Sequence, residues 1–149
     1  MISSKKGQHC PFFCVYALCY VQAFYHVVGP MWICIAALNL ALAVMLGAFG
    51  AHGLKARATD AQLGWWHTAT DYFFYHALGL LAIAVLMRVL PQLNIKRSFV
   101  LIQVGIVLFC GSLYFMALGL PRGLGAITPI GGALMIAAWL DLVWKSRKI

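Results

Sequence analysis

Long apolar runs, separated by short polar and basic segments, dominate this chain. A helix needs roughly 20 apolar residues to cross the hydrocarbon core of a bilayer. Four runs meet that length, at about residues 31–54, 72–90, 98–120 and 124–144. Because open backbone cannot face lipid without unpaired polar groups, each run is expected to be a helix. The pattern predicts an all-α membrane protein, an antiparallel bundle of four transmembrane helices.

The segment between the first two runs has a different character. It mixes charged residues, hydroxyl groups and the pair Trp65-Trp66. A short amphipathic helix at about residues 57–70, lying in the membrane interface with its tryptophans at headgroup depth, fits this mixture. An ordinary loop with an aromatic belt is the alternative.

The first thirty residues do not fit the four-helix pattern. Pro11 to Val28 is apolar enough for a short fifth span, but only Gly29-Pro30 separates it from the next run. Lys5-Lys6 before an apolar stretch resembles a signal peptide, although no small-residue cleavage pattern follows. We expect residues 1–30 to be a hydrophobic extension, either variable or due to a misassigned start, and residues 31–149 to form the four-helix membrane domain.

Composition supports the membrane assignment and narrows the partners. The chain is 64% hydrophobic and 9% charged, whereas a soluble domain carries roughly a quarter charged residues. Its formal net charge of +8 could indicate nucleic acid in a soluble protein. Here the basic residues lie in clusters between apolar runs, which is typical of anchoring at a membrane surface. Membrane lipids, and no nucleic acid, are therefore the expected partners.

The basic residues also predict an orientation, since cytoplasmic loops carry more Lys and Arg than external ones. Six lie on one side of the four-helix unit, namely Arg88, Lys96, Arg97, Lys145, Arg147 and Lys148. Three lie on the other side, namely Lys55, Arg57 and Arg122. Both termini of the four-helix unit are thus expected in the cytoplasm, with the Trp65-Trp66 segment and the PRGLGAITP turn outside.

Four ionisable side chains are candidates for chemistry at the outer side. His67 and Asp71 are one helical turn apart, so their side chains can hydrogen-bond, and His52 and His76 could converge with them. Such a cluster could bind a divalent metal or handle protons. Their spacing matches no known ligand set, and structural histidines are the alternative. No cofactor is expected.

Polar residues inside the apolar runs predict helix-to-helix hydrogen bonds. Asn39 lies within the first run and Gln103 within the third, and polar groups in hydrocarbon usually pair across helices. A substrate path is the alternative. Asp141 stands four residues before Lys145, which allows an ion pair along one helix.

Small residues and helix breakers predict close packing. Ala43, Gly47 and Ala51 recur at four-residue spacing, a stripe that lets another helix approach and that could support a homo-oligomer or contact with other membrane proteins. Thr128-Pro129 is typical of a helix start, with Thr as N-cap and Pro at the first position. Alternatively, Pro129 kinks a longer helix with help from Gly131-Gly132.

Four motifs in order, GAFGAHGL, TATDYFFYHALGLL, GSLYFMALG and LGAITPIGG, resemble the domain-of-unknown-function 423 family of small bacterial inner-membrane proteins. The resemblance covers about residues 31–144. It implies a multi-pass plasma-membrane protein, and it supplies no reaction, substrate or cofactor. The motif positions, of unknown role, are Gly47, Gly50, His52, Gly53, Thr68, Tyr72, His76, Gly79, Gly111, Ser112, Tyr114, Gly125, Thr128, Pro129, Gly131 and Gly132.

Two function classes follow from the sequence. The first is a structural or regulatory membrane protein that acts through helix contacts. The second is a binding or transport protein for a ligand, a metal or protons, using the outward His and Asp residues or the Thr128-Pro129 break. No nucleophile and base pair is evident, so an enzyme is not expected.

The predicted orientation can be tested by cysteine labelling in a background without native cysteines. With Lys96→Cys, a membrane-impermeant maleimide is expected to react only after spheroplasts are broken. With Gly123→Cys in the PRGLGAITP turn, it is expected to react in intact spheroplasts. Labelling of the Lys96→Cys protein from outside would overturn the orientation.

Overall fold

Four long helices make up the fold. A computed structural model describes residues 12–147, with side chains from Met31 onward except that of Arg122. The long helices are α1 (Phe12–Phe49), α2 (Asp60–Val89), α3 (Lys96–Ala117) and α4 (Thr128–Ser146). Shorter pieces connect them: a π-helical turn at Gly50–Leu54 and 3-10 turns at Pro91–Leu93 and Arg122–Ala126. No strand occurs in these residues.

Four helices among the described residues are long and apolar enough to cross a membrane, which is the predicted number. By length and composition, the segments able to cross a membrane are Met31–Leu54, Asp60–Val89, Lys96–Ala117 and Gly123–Ser146. The first coincides with the predicted 31–54, and the last two start or end within three residues of their predicted bounds. The predicted all-α bundle of four membrane helices is thus the observed architecture.

The second span differs from the prediction because the expected interfacial helix is not separate. Residues 60–70 form the first turns of α2, which runs without interruption to Val89. A capping box fixes its start: the Thr59 hydroxyl accepts from the Gln62 backbone, and the Gln62 side chain accepts from the Thr59 backbone. Helix α2 contains no proline that would break it, and the polar residues of its first turns are not enough to end a helix.

Helix α1 begins before the predicted first span. It runs from Phe12 to Phe49 through Gly29 and Pro30, so no turn separates a fifth span at that point. At 1.5 Å per residue its 38 residues extend about 57 Å, nearly twice the hydrocarbon thickness. The part before Met31 therefore extends beyond the span. Residues 1–11 lie outside the described residues, and the status of the extension stays a prediction.

Helix α3 lies at the centre of the bundle. Along the chain, α1 packs on α2, α2 on α3 and α3 on α4. In its most apolar stretch α3 is 44% buried, against 17% for the span that contains α4. The largest fully buried side chains come from α2, from α3 and from the turn between them: Phe99, Leu80, Ile83, Ile95, Ile102 and Ser98.

The tightest helix contact joins α3 and α4 through two glycines. A Cβ on Gly131 would lie 2.4 Å from the Phe109 backbone nitrogen and 2.9 Å from the Gly105 carbonyl. A Cβ on Gly105 would lie 2.5 Å from Met135 Cγ and 3.0 Å from the Gly131 carbonyl. Since backbone atoms cannot move aside as a flexible side chain can, both positions need glycine.

Replacing Gly131 by alanine is expected to push α4 away from α3. Overpacking of this kind costs about 1–3 kcal/mol of unfolding free energy. The matched control is Gly111→Ala in α3, where a Cβ meets nothing within 4 Å. That variant should retain or slightly gain stability, because alanine favours helix by about 1 kcal/mol. Denaturant unfolding in detergent micelles measures both; equal stability of the two variants would contradict the close contact.

Candidate functional site

The predicted outer end of the bundle is organised around one tryptophan, Trp66, in the second turn of α2. Its side chain is 2% exposed, and its indole N–H donates to the Leu46 carbonyl of α1 at 2.9 Å. A Cβ on Gly50 would lie 2.4 Å from this nitrogen, so glycine makes room for the ring. The rings of Phe49 and Tyr114 lie 5.4 and 4.5 Å away, centroid to centroid. We call these five residues the Trp66 junction.

This burial corrects one part of the expectation for the two tryptophans: Trp66 packs inside the bundle and does not face the surrounding lipid. Trp66 is turned inward because the Leu46 carbonyl satisfies its N–H and Gly50 leaves space for its ring. A buried indole needs such an acceptor. Trp65 is only half-buried and borders a groove at the bundle end.

A hydroxyl pair ties the Trp66 junction to a third helix. The Tyr114 hydroxyl of α3 donates to Thr70 Oγ1 at 3.1 Å, and Thr70 Oγ1 donates to the Trp66 carbonyl at 2.9 Å. On the other side, a Cβ on Gly47 would make ordinary contact with the Thr70 methyl at 3.4 Å. Residues of α1, α2 and α3 thus meet around one polar chain.

A second hydroxyl pair joins α3 to the start of α4. Ser112 Oγ and Thr128 Oγ1 are 2.7 Å apart. Ser112 Oγ donates its single proton to the Phe109 carbonyl at 2.9 Å. In the bond between the two hydroxyl groups, Thr128 is therefore the donor and Ser112 the acceptor. Helix α4 does begin here, with Pro129 in its first turn, which confirms the helix-start interpretation over the kink. The predicted N-cap role of Thr128 is wrong: Ile127 holds that position, without a side-chain cap.

A groove of about 380 Å³ lies beside the junction, between the start of α2 and the turn after α3. Gly119 shapes that turn with a left-handed φ of 94°. The Gln62 amide oxygen is used by the helix cap, so its amide nitrogen is the available donor. The lining residues are Thr59, Ala61, Gln62, Trp65, Met116, Gly119, Leu120 and Pro121.

The four predicted ionisable candidates do not converge. His52, His67 and Asp71 are exposed, and no hydrogen bond links the last two among the residues described. Over the same residues, no three His, Cys, Asp or Glu side chains are placed to hold one metal ion. His76 is half-buried and belongs to a different group of side chains.

That second group is aromatic and faces the outside of the bundle across α2, α3 and α4. The Tyr72 ring stacks on His76 at 6.0 Å and lies 4.8 Å from Phe109. His76 lies 6.3 Å from the Trp139 ring. A Cβ on Gly79 would lie 2.8 Å from that indole, so glycine lets Trp139 rest on α2. Three motif positions of unknown role therefore hold one aromatic cluster.

The predicted pairing of Asn39 with Gln103 is confirmed. The Asn39 amide donates to Gln103 at 3.0 Å, and the Gln103 amide donates back at 3.2 Å. Asn39 also donates to the Ile35 carbonyl at 2.8 Å. Each amide thus has a donor and an acceptor in use, as burial in hydrocarbon requires.

Polar residues also close the opposite end of the bundle. Asp141 pairs with Lys145 at 2.9 Å, as predicted, and accepts from Ser98 of α3 at 2.6 Å. Lys145 donates further to the Asn94 carbonyl in the turn between α2 and α3. The cluster fixes the end of α4 against that turn.

The remaining motif positions serve local packing. A Cβ on Gly53 would lie 2.9 Å from the Phe49 ring, one on Gly125 3.4 Å from Met116 Sδ, and one on Gly132 3.7 Å from the Phe109 ring. Thr68 donates to a carbonyl of its own helix. None of these requires a bound group.

Sequence reasoning missed Thr70, Ser98 and Trp139 as contact residues. Thr70 follows Trp66 by four residues, and this spacing placed its hydroxyl on the same face. Ser98 lies at the start of an apolar run, where a lone hydroxyl implies a partner. For Trp139 the sequence carried no signal, because its ring reaches Gly79 of α2 only through the way α4 packs on α3.

Removing the Tyr114 hydroxyl tests whether the polar chain at the junction stabilises the bundle. Tyr114→Phe leaves Thr70 without its donor, and a net loss of about 1 kcal/mol of unfolding free energy is expected. Tyr75→Phe is the control, because that ring is 64% exposed and has no described partner; its effect should stay within about 0.5 kcal/mol. Unfolding in detergent measures both, and equal effects would contradict the role assigned to Tyr114.

Comparison with known proteins places these features in a family. The family model "Protein of unknown function (DUF423)" matches residues 46–132, which include the Trp66 junction and the aromatic cluster except Trp139. No solved structure matches the chain.

Two bacterial relatives cover most of their own length. A UPF0382 membrane protein of Staphylococcus epidermidis is 49% identical over 118 residues, 79% of this chain and 96% of the relative. The UPF0382 membrane protein YwdK of Bacillus subtilis is 45% identical over 119 residues, 79% of this chain and 97% of the relative. With the four membrane-length helices, these matches show that the chain belongs to the DUF423 family, whose members are bacterial membrane proteins of unknown function.

Proposed function

We propose that this protein is a structural or regulatory component of the bacterial inner membrane, without enzymatic activity, that acts through contacts of its helices. The supporting observation is how its intramembrane polar side chains are used. Three pairs each join two helices: Asn39 with Gln103, Ser112 with Thr128, and Tyr114 with Thr70. Side chains committed to one another hold a fixed bundle and leave few polar groups for chemistry.

The charge distribution supports an inner-membrane orientation with both ends of the four-helix unit in the cytoplasm. Arg88, Lys96, Arg97 and Arg147 are all exposed at the end that also carries Lys145. Exposed cations beside apolar helix surfaces attract anionic headgroups of the cytoplasmic leaflet, at about 1 kcal/mol each. Membrane lipids are accordingly the first partners in this proposal.

The outer face of α1 is the surface proposed for contact with another helix. Cys34, Leu38, Ala41, Met45 and Ala48 are all exposed, and they repeat with the alternating four- and three-residue spacing of a helix-pairing seam. Alanine at two of these positions lets a second backbone approach closely.

The predicted stripe of small residues serves a different contact. Ala43 is 2% exposed, and Gly47 faces the Thr70 methyl of α2. Both residues therefore pack inside the chain, and only Ala51 of that stripe is exposed. We propose that a second copy, or another membrane protein, binds instead to the outer face of α1 that carries Cys34.

Oxidative cross-linking in native membranes tests this surface. A variant that keeps Cys34 and no other cysteine is expected to form a disulfide-linked product, either a dimer or an adduct with another membrane protein. The control moves the single cysteine to Val85 on α2, which is 46% exposed and lies outside the proposed face. Cross-linking no stronger from Cys34 than from the Val85→Cys control would contradict the proposal.

A further inference from the structure

His76 lies within the hydrocarbon region wherever α2 is positioned along the membrane normal. It is sixteen residues after the start of α2 and thirteen before its end, about 24 Å and 20 Å along the axis. The helix therefore extends about 44 Å in all. Any hydrocarbon layer of about 30 Å that lies within this length includes His76 and one helical turn on either side of it. An ionisable side chain at that depth is rare without a function.

The hydrogen bond of His76 determines which ring nitrogen is available. Nδ1 lies 2.8 Å from the Tyr72 carbonyl oxygen. Because a carbonyl can only accept, Nδ1 carries the proton, and in the neutral ring Nε2 keeps its lone pair. Among the residues described, Nε2 has no hydrogen-bond partner. The result is an acceptor, without a donor, inside hydrocarbon.

The surroundings of that acceptor are aromatic and open to lipid. Tyr72 is 44% exposed and Trp139 is 38% exposed, and the His76 ring lies beside both. Phe109 extends the surface next to Tyr72. The Trp139 ring lies against Gly79, about one helical turn after His76. A ligand can therefore approach His76 laterally from the bilayer, beside the Tyr72 and Trp139 rings, whose centroids lie 6.0 and 6.3 Å from that of the His76 ring.

We propose that this aromatic cluster binds a lipid-soluble aromatic alcohol, a substituted phenol or hydroquinone. Its hydroxyl group donates to His76 Nε2, which satisfies the unpaired acceptor. Its planar ring packs between Tyr72 and Trp139, and its apolar substituents remain in the lipid. The proposal assigns a binding site to Tyr72, His76 and Gly79, and it goes beyond a structural role for the bundle.

Nitrogen-15 NMR on protein with labelled histidine tests the site in detergent micelles. The His76 Nε2 signal is assigned by its loss in His76→Phe, which keeps a ring and removes the acceptor. Trimethylhydroquinone, added under argon, is expected to shift this signal in a saturable way. Its dimethyl ether has the same ring without the O–H donor and should bind roughly three- to tenfold more weakly.

The protein controls separate the site from simple partition into the micelle. His67→Ala removes an exposed histidine of the same helix and should leave the binding curve unchanged. His76→Phe should bind trimethylhydroquinone no better than the dimethyl ether. Equal affinity of the unmodified protein for the two compounds, which needs no variant, would overturn the proposal. A haem absorbance band that His76→Phe abolishes would also overturn it, since Nε2 would then be an iron ligand.

Discussion

Hydrocarbon supplies no hydrogen-bond partners, and this constraint governs the structure more than any other. Backbone groups meet it by forming helices, and side chains meet it by pairing between helices. Asn39 and Gln103 exchange two hydrogen bonds across the bundle, and the Trp66 indole N–H donates to the Leu46 carbonyl of α1. The polar residues that the apolar spans contain are therefore also the residues that set which helices touch.

Pairing of side chains between helices requires the helices to approach closely, and glycine allows this approach. Gly131 and Gly105 bring the backbones of α3 and α4 together, and Gly50 admits the Trp66 ring beside α1. These contacts leave α3 buried at the centre and much of α1 and α4 open to lipid or to partners. Fixed interior contacts with exposed apolar flanks are consistent with a protein that works by contact. Two side chains among the residues described are exceptions: the Trp32 indole N–H is buried without a hydrogen-bond partner, and the bundle does not satisfy the acceptor of His76.

Much of the fold followed from the sequence, because run length and hydropathy are local properties. The spans, the Asn39–Gln103 pair and the start of α4 near Pro129 were all predictable. The continuity of α2 was not, since a polar stretch at a helix start is indistinguishable from an interfacial helix until its neighbours are placed. The candidate site followed only in part: the motif residues were identified, but the inward turn of Trp66 depends on the packing of α1.

The central claim, that intramembrane polar side chains stabilise this bundle by pairing, is tested most directly by a double-mutant cycle on Asn39 and Gln103 in bilayers. Asn39→Leu, Gln103→Leu and the double variant are compared with the unmodified protein by reversible unfolding. A favourable coupling energy of about 1 kcal/mol is predicted, because each single change removes the partner of the other amide across the helices. A coupling energy of zero, with the two single effects adding, would contradict the account.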